Sequence, residues 1–242
     1  MPLLAAIRLT THLNSLRHGR STGTPSLDVA ARTVQGPDAA HHVSDPDALL
    51  GLPADESSPL EEAMAITLKR AEDDWLLALV RPGRLGPLRG PVPLTRAALA
   101  AGAAVVPRSG GPAWVPTRVG PAIQWQLLVA DRPFAVPSSA ETERTLAEAV
   151  IAATGELTAL GMTSGRRPED RGLVLPAAYP IRQRRAAERA WRLVEACRAG
   201  LEDPSGLLHS HAVELRSRVL RELLNAALDS LEAATAWPAA DG

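Results

Sequence analysis

The sequence predicts an α+β protein. Residues 1–136 read as a mixed part with a small antiparallel sheet, and residues 137–242 as an antiparallel helical part of about three helices. Three observations carry this reading. Ile123, Trp125, Leu127 and Val129 alternate with Gln124 and Gln126, the period of a half-buried strand. From Ser138 onward the apolar period is helical. Between the two regimes, residues 133–137 have a proline at each end and mark the boundary. The two parts are expected to pack as one unit.

In chain order, residues 1–27 hold Arg8, Arg17 and Arg20 and no acid. Arg8 interrupts the apolar start and no cleavage signal is visible, so an ordinary first helix or strand is expected rather than a targeting peptide. Residues 19–58 are rich in Gly, Ser, Thr, Pro and Asp and read as loop. A helix start follows, with Ser58 as N-cap, Pro59 in the first position and Glu61 three residues after the cap. Leu60, Met64, Leu68 and Ala71 then share a face.

Residues 75–80 form an apolar run of strand length. Residues 81–93 carry four prolines and three glycines, which exclude a helix and predict tight turns or an edge segment. Residues 95–101 read as a short helix, and residues 104–107, 113–119 and 123–129 as strands. The middle third is thus an antiparallel sheet with an inserted helix.

Beyond the boundary, Ser138 and Glu141 make a capping-box pattern. Leu146, Val150, Ala153, Leu157 and Leu160 follow at helical spacing, with Gly161 as a stop. Residues 162–180 are a polar connection. The second helix, residues 181–199, places Ala187, Ala190, Trp191, Val194 and Cys197 on one face, continued by Leu201. The third, residues 207–234, carries a stripe of Val213, Leu220, Leu224, Ala227 and Leu231. That stripe packs on the other two helices or seams a homodimer. Fewer than three clean heptads favour packing within the chain.

With 242 residues and 45% hydrophobic content, the chain can bury about 70% of its unfolded surface without a metal or disulfide. Cys197 is the only cysteine, so no intramolecular disulfide forms, which fits a reducing cytoplasm. No run approaches the roughly 18 apolar residues of a membrane span. Of the 26 basic residues only Lys69 is a lysine, which together with abundant Ala and Pro reads as a GC-rich bacterial origin.

Charge is laid down in blocks although the net charge is −1. Residues 37–74 hold ten acids against Lys69 and Arg70, whereas residues 75–130 hold Arg81, Arg84, Arg89, Arg96, Arg108 and Arg118 and no acid. Opposite blocks adjacent in sequence are expected to meet in space, so the basic block reads as a charged sheet edge. Gly83, Gly86 and Gly90 match neither phosphate-loop nor dinucleotide spacing.

The sharper feature is on the second helix. Arg182, Arg185, Arg189 and Arg192 step by three, four and three residues and share one face, a candidate anion-binding stripe. Arg166, Arg167 and Arg171 precede it. No catalytic residue is assigned: there is no Gly-x-Ser-x-Gly elbow, Ser109 sits in a Gly-Gly turn, and Cys197 lies on an apolar helix face. No metal or other cofactor is expected: His41 and His42 point in different directions in any regular element, and His209 and His211, two apart on a helix, diverge by roughly 200°. The expected function is that of a non-catalytic cytoplasmic protein acting through contact with another protein. The alternatives are an anion or nucleic-acid binder using the arginine stripe, and an enzyme whose site is scattered in sequence. Nucleic acid is disfavoured by the near-zero net charge and the lack of a recognition motif.

Overall fold

The computed structural model describes residues 2–19, 25–70, 73–160, 172–202 and 210–238. Gly161, Arg166, Arg167, Arg171, His209 and Ala71 lie outside the described residues. Two compact units form. The first comprises residues 1–136 together with Leu175–Pro180 and the segment from Thr235; the second comprises Pro137–Val174 and Ile181–Ala234.

The first unit opens with helix α1 (Pro2–His18), which buries residues on all sides from Leu3 to Ser15. Its buried hydroxyls turn back on the helix: Thr10 Oγ1 donates to Ala6 O and Thr11 Oγ1 to Ile7 O, both at 2.9 Å. Helix α2 (Leu27–Gln35) and strands β1 (His41–Ser44) and β2 (Ser58–Pro59) lie in the stretch whose composition reads as loop. Helix α2 is nine residues long and buries only Ala30, Ala31 and Val34, and β1 has one strongly apolar residue, Val43. Such short, weakly apolar elements form through what they pack on, not through their own propensity. Helix α3 (Leu60–Arg70) begins one residue later than the capping pattern places it. Ser58 and Pro59 pair with Val43 and His42 instead of capping the helix.

The four strands expected between residues 75 and 130 are present as β3 (Trp75–Ala78), β4 (Ala104–Pro107), β5 (Gly111–Val119) and β6 (Ala122–Ala130). Helix α4 (Val92–Ala101) is inserted between β3 and β4. The sheet order is β2-β1-β6-β5-β4-β3, antiparallel throughout except where β1 runs parallel to β6. The register puts Ala78, Ala104, Val106, Ala113, Val115, Leu128 and Ala130 on one face, where Leu94 and Ala98 of α4 and Leu88 complete a core. The opposite face carries Trp75, Leu77, Val105, Trp114 and Trp125; α1 packs against β3, β4 and β5, and α3 against β1 and β2. The alternation of β6 holds through Leu127. It then yields, because Leu128 and Ala130 belong to the α4 core while Val129 is 45% exposed.

Strand β3 is a sheet edge, and its exposed backbone is matched by a side chain. Asn14 of α1 donates to Trp75 O at 2.9 Å and accepts from Trp75 N at 2.8 Å. An amide so placed occupies both ladder groups of the edge residue.

The second unit contains α5 (Ser139–Ala159), α6 (Ile181–Glu202) and α7 (Ser210–Thr235). Ser138 caps α5 as its sequence indicates, its Oγ accepting from Glu141 N at 3.2 Å. Ser139 Oγ donates to Ala233 O and Arg218 reaches Glu156, so α7 runs antiparallel to α5. Gly200 faces Leu220: a Cβ there would stand 3.0 Å from Leu220 Cδ1, which brings α6 and α7 close at this crossing. Among the described residues no helix is long and apolar enough to cross a membrane.

Candidate functional site

The arginine stripe is built by α6. Its apolar face, Ala187, Ala190, Trp191, Val194 and Cys197 with Ala186 beside it, is buried, which fixes the helix's rotation. Arg182, Arg185, Arg189 and Arg192 therefore point outward, and all four are exposed. Glu143 of α5 stands 3.6 Å from Arg182 Nε and 3.8 Å from Arg189 Nη2, within ion-pair range but beyond hydrogen-bond distance. Arg192 pairs with Glu188 one turn earlier. Arg185 has no ion-pair partner among the described residues. Two carboxylates thus face four guanidiniums, and most of the guanidinium N–H donors stay directed to solvent.

In the first unit a cavity of about 270 Å³ opens at the end of the sheet where its loops gather. Leu49 and Leu50 of the loop after β1, Thr67 and Arg70 of α3, and Asp73 and Trp75 at the start of β3 line one side. Pro107, Ser109, Gly110 and Pro112 of the β4–β5 turn line the other. The first wall is held by Asp45, a fully buried carboxylate that accepts backbone N–H bonds from Leu49, Leu50 and Leu52 at 2.7, 2.8 and 3.2 Å. The second needs glycine at 110. Its φ is +86°, and a Cβ would stand 2.9 Å from Arg132 N and 3.0 Å from Ala130 O. Sequence reading missed Thr67, Arg70, Asp73 and Trp75 because the cavity joins four separate segments. The Ser109-Gly110-Gly111 turn was its one visible trace.

The histidines divide by strand pleat. His41 is buried and its neighbour His42 is exposed. The Nε1–H of Trp125 points at His41 Nδ1 at 3.3 Å, and an indole nitrogen can only donate. Nδ1 is therefore the acceptor, and the ring proton is on Nε2, donated to Asp38 Oδ2 at 3.3 Å. Both ring nitrogens are occupied, and burial lowers the pKa of His41 against the pull of Asp38. Asp38 also pairs with Arg118 at 2.9 Å, joining the acidic block to the basic one. His12 is buried on α1, and burial together with the neighbouring Arg8 cation pushes it from 6.5 to about 4. Burial pushes the Cys197 thiol up to about 11, which leaves it protonated and unreactive at neutral pH. Gly83 lies in the tight turn that joins Arg81 to Arg84, whose backbone groups bond each other at 2.8 and 2.9 Å. Among the described residues no three His, Cys, Asp or Glu side chains converge on a metal-sized point.

Residues 18–141 match the family described as Rv1486c-like protein, N-terminal domain, and residues 140–231 match Rv1486c-like protein, C-terminal domain. The two matches abut within a few residues of Pro137, where the second compact unit begins. No curated protein and no solved structure matches the chain. Because the N-terminal match alone covers more than half of the 242 residues, the chain belongs to the Rv1486c-like protein family.

Proposed function

We propose that this is a non-catalytic protein that works by docking on another protein through the exposed face of α6. The observation that carries the reading is the arginine stripe. Four guanidiniums project from one helix face, and the two carboxylates beside them leave that face with a local excess of positive charge. The partner suited to it presents carboxylates, since guanidinium binds them through paired N–H donors. Ile181, 58% exposed at the head of the stripe, adds an apolar contact.

Three groups that could serve catalysis support the same reading, being occupied or buried. His41 has both nitrogens engaged, Asp45 has both oxygens engaged, and Cys197 is buried and protonated. Catalysis requires such groups to be within reach of a substrate.

The test is a charge reversal, Arg185→Glu with Arg189→Glu, in the full chain. Both side chains are exposed, so stability should move by about 0.5 kcal/mol or less. A partner retained at low salt should be lost from the variant, and from the native protein at high salt. Retention untouched by both changes would remove this reading. A filter-binding titration with RNA and DNA separates it from the nucleic-acid alternative. Saturable, salt-sensitive binding there would favour phosphate over carboxylate as the stripe's ligand.

A further inference from the structure

Two polar atoms in residues that line the cavity of the first unit are buried without a partner: Trp75 Nε1 and Thr67 Oγ1. Trp75 is fully enclosed and Thr67 is 5% exposed. A helical threonine commonly returns its hydroxyl to the carbonyl one turn back, as Thr10 and Thr11 do in α1, but Thr67 does not. An orphaned buried donor is unusual in a folded protein and calls for an explanation. Two of them on one cavity's lining residues point to an acceptor supplied from outside.

The other lining residues specify that ligand further. Leu49, Leu50, Pro107 and Pro112 give an apolar surround. Arg70 donates one N–H to Leu49 O at 3.2 Å and has further donors to offer. Asp73 lines the same cavity, so a second negative charge on the ligand would meet a like charge. We propose that the cavity binds a small monocarboxylic acid with an apolar body. Its carboxylate accepts from Trp75 Nε1 and Thr67 Oγ1 and is neutralised by Arg70. Neither orphaned atom reaches bulk water, so binding includes a side-chain rotation that uncovers them, a common adjustment at binding sites. The proposal is independent of the α6 docking face.

The experiment titrates the full chain with benzoate and with isovalerate, using benzyl alcohol as the uncharged match. Calorimetry and thermal melting are the readouts. Benzoate or isovalerate should bind saturably and raise Tm with concentration, and benzyl alcohol should bind about tenfold more weakly or worse. Thr67→Val should weaken carboxylate binding by about five- to tenfold while raising the Tm of the unliganded protein, because it removes an unsatisfied hydroxyl at constant volume. Arg70→Met alters an exposed side chain and should erase the preference for benzoate over benzyl alcohol. Lack of saturable binding by both acids overturns the proposal. So does acid binding that is unchanged in both variants.

Discussion

Asp38 is a side chain only 8% exposed on which Arg118, His41 and, at longer range, the half-buried Arg8 converge. Removing Asp38 leaves the buried Nε2–H of His41 without its acceptor, whereas Arg118, 44% exposed and still bonded to Gly120 O, turns to water. Asp38→Ala should therefore destabilise the first unit by about 1–2 kcal/mol, read as a lower urea midpoint. His12 adds a pH dependence whose sign is fixed. Its folded pKa is depressed from 6.5 to about 4, so the unfolded chain binds more protons between those values. The contribution of neutral His12 is complete above about pH 6.5 and is lost as pH falls toward 4, a change of about 3 kcal/mol over the window. His41 is shifted the same way and steepens the loss. Urea midpoints at pH 7 and pH 4.5 should separate less in His12→Leu than in the native chain. Equal separations would show that His12 does not carry the effect. None of this cluster was assigned a role in the sequence, since Arg8, His12, Asp38 and Arg118 come from distant segments. The one usable hint was the pair of opposite charge blocks, which Asp38 and Arg118 do bridge.

Elements were legible in proportion to how much of their stability is local. Helix α5 announces itself through Ser138 and Glu141, and the cap forms as written. Ser138→Ala should destabilise α5 by about 1 kcal/mol, and Ser138→Gly by only a few tenths, seen as a graded drop in urea midpoint. Equal losses in the two variants would place the effect elsewhere than in the hydroxyl. Strands β5 and β6 pair over nine residues each and show in the alternation of Ile123, Trp125 and Leu127. Helix α2 and strand β1 were illegible for the converse reason. Their few buried residues are read only by their neighbours, with Val43 against Trp125 in register and α2 against α1. The arginine stripe was legible because helical period gives charge a direction. The cavity was not, because no periodicity spans four separate segments.

The chain leaves the first unit at Pro137 and returns to it twice, at Leu175–Pro180 and from Thr235. These returns close a polar network around the sheet edge. Tyr179 donates its hydroxyl to Thr235 O at 2.9 Å and accepts from Asn14 Nδ2 at 3.2 Å, while Asn14 holds both backbone groups of Trp75. Trp237 stacks on His18 at 4.4 Å and meets Tyr179 edge-on at 5.0 Å. The match to the N-terminal family domain ends at residue 141 and so contains neither return. A fragment of residues 1–136 would keep Asn14 and Trp75 but lose the phenol, the carbonyl and the indole that enclose them. It should unfold at lower urea than the first unit does in the full chain. The Trp75 amide, bonded to Asn14 Oδ1, should exchange hydrogen faster in the fragment. Tyr179→Phe in the full chain isolates the hydroxyl from the packing and should remove about 1–2 kcal/mol, less than the truncation. A fragment as stable as the full chain, with the Trp75 amide equally protected, would mean that the sheet edge closes on α1 alone and the two returns are passengers.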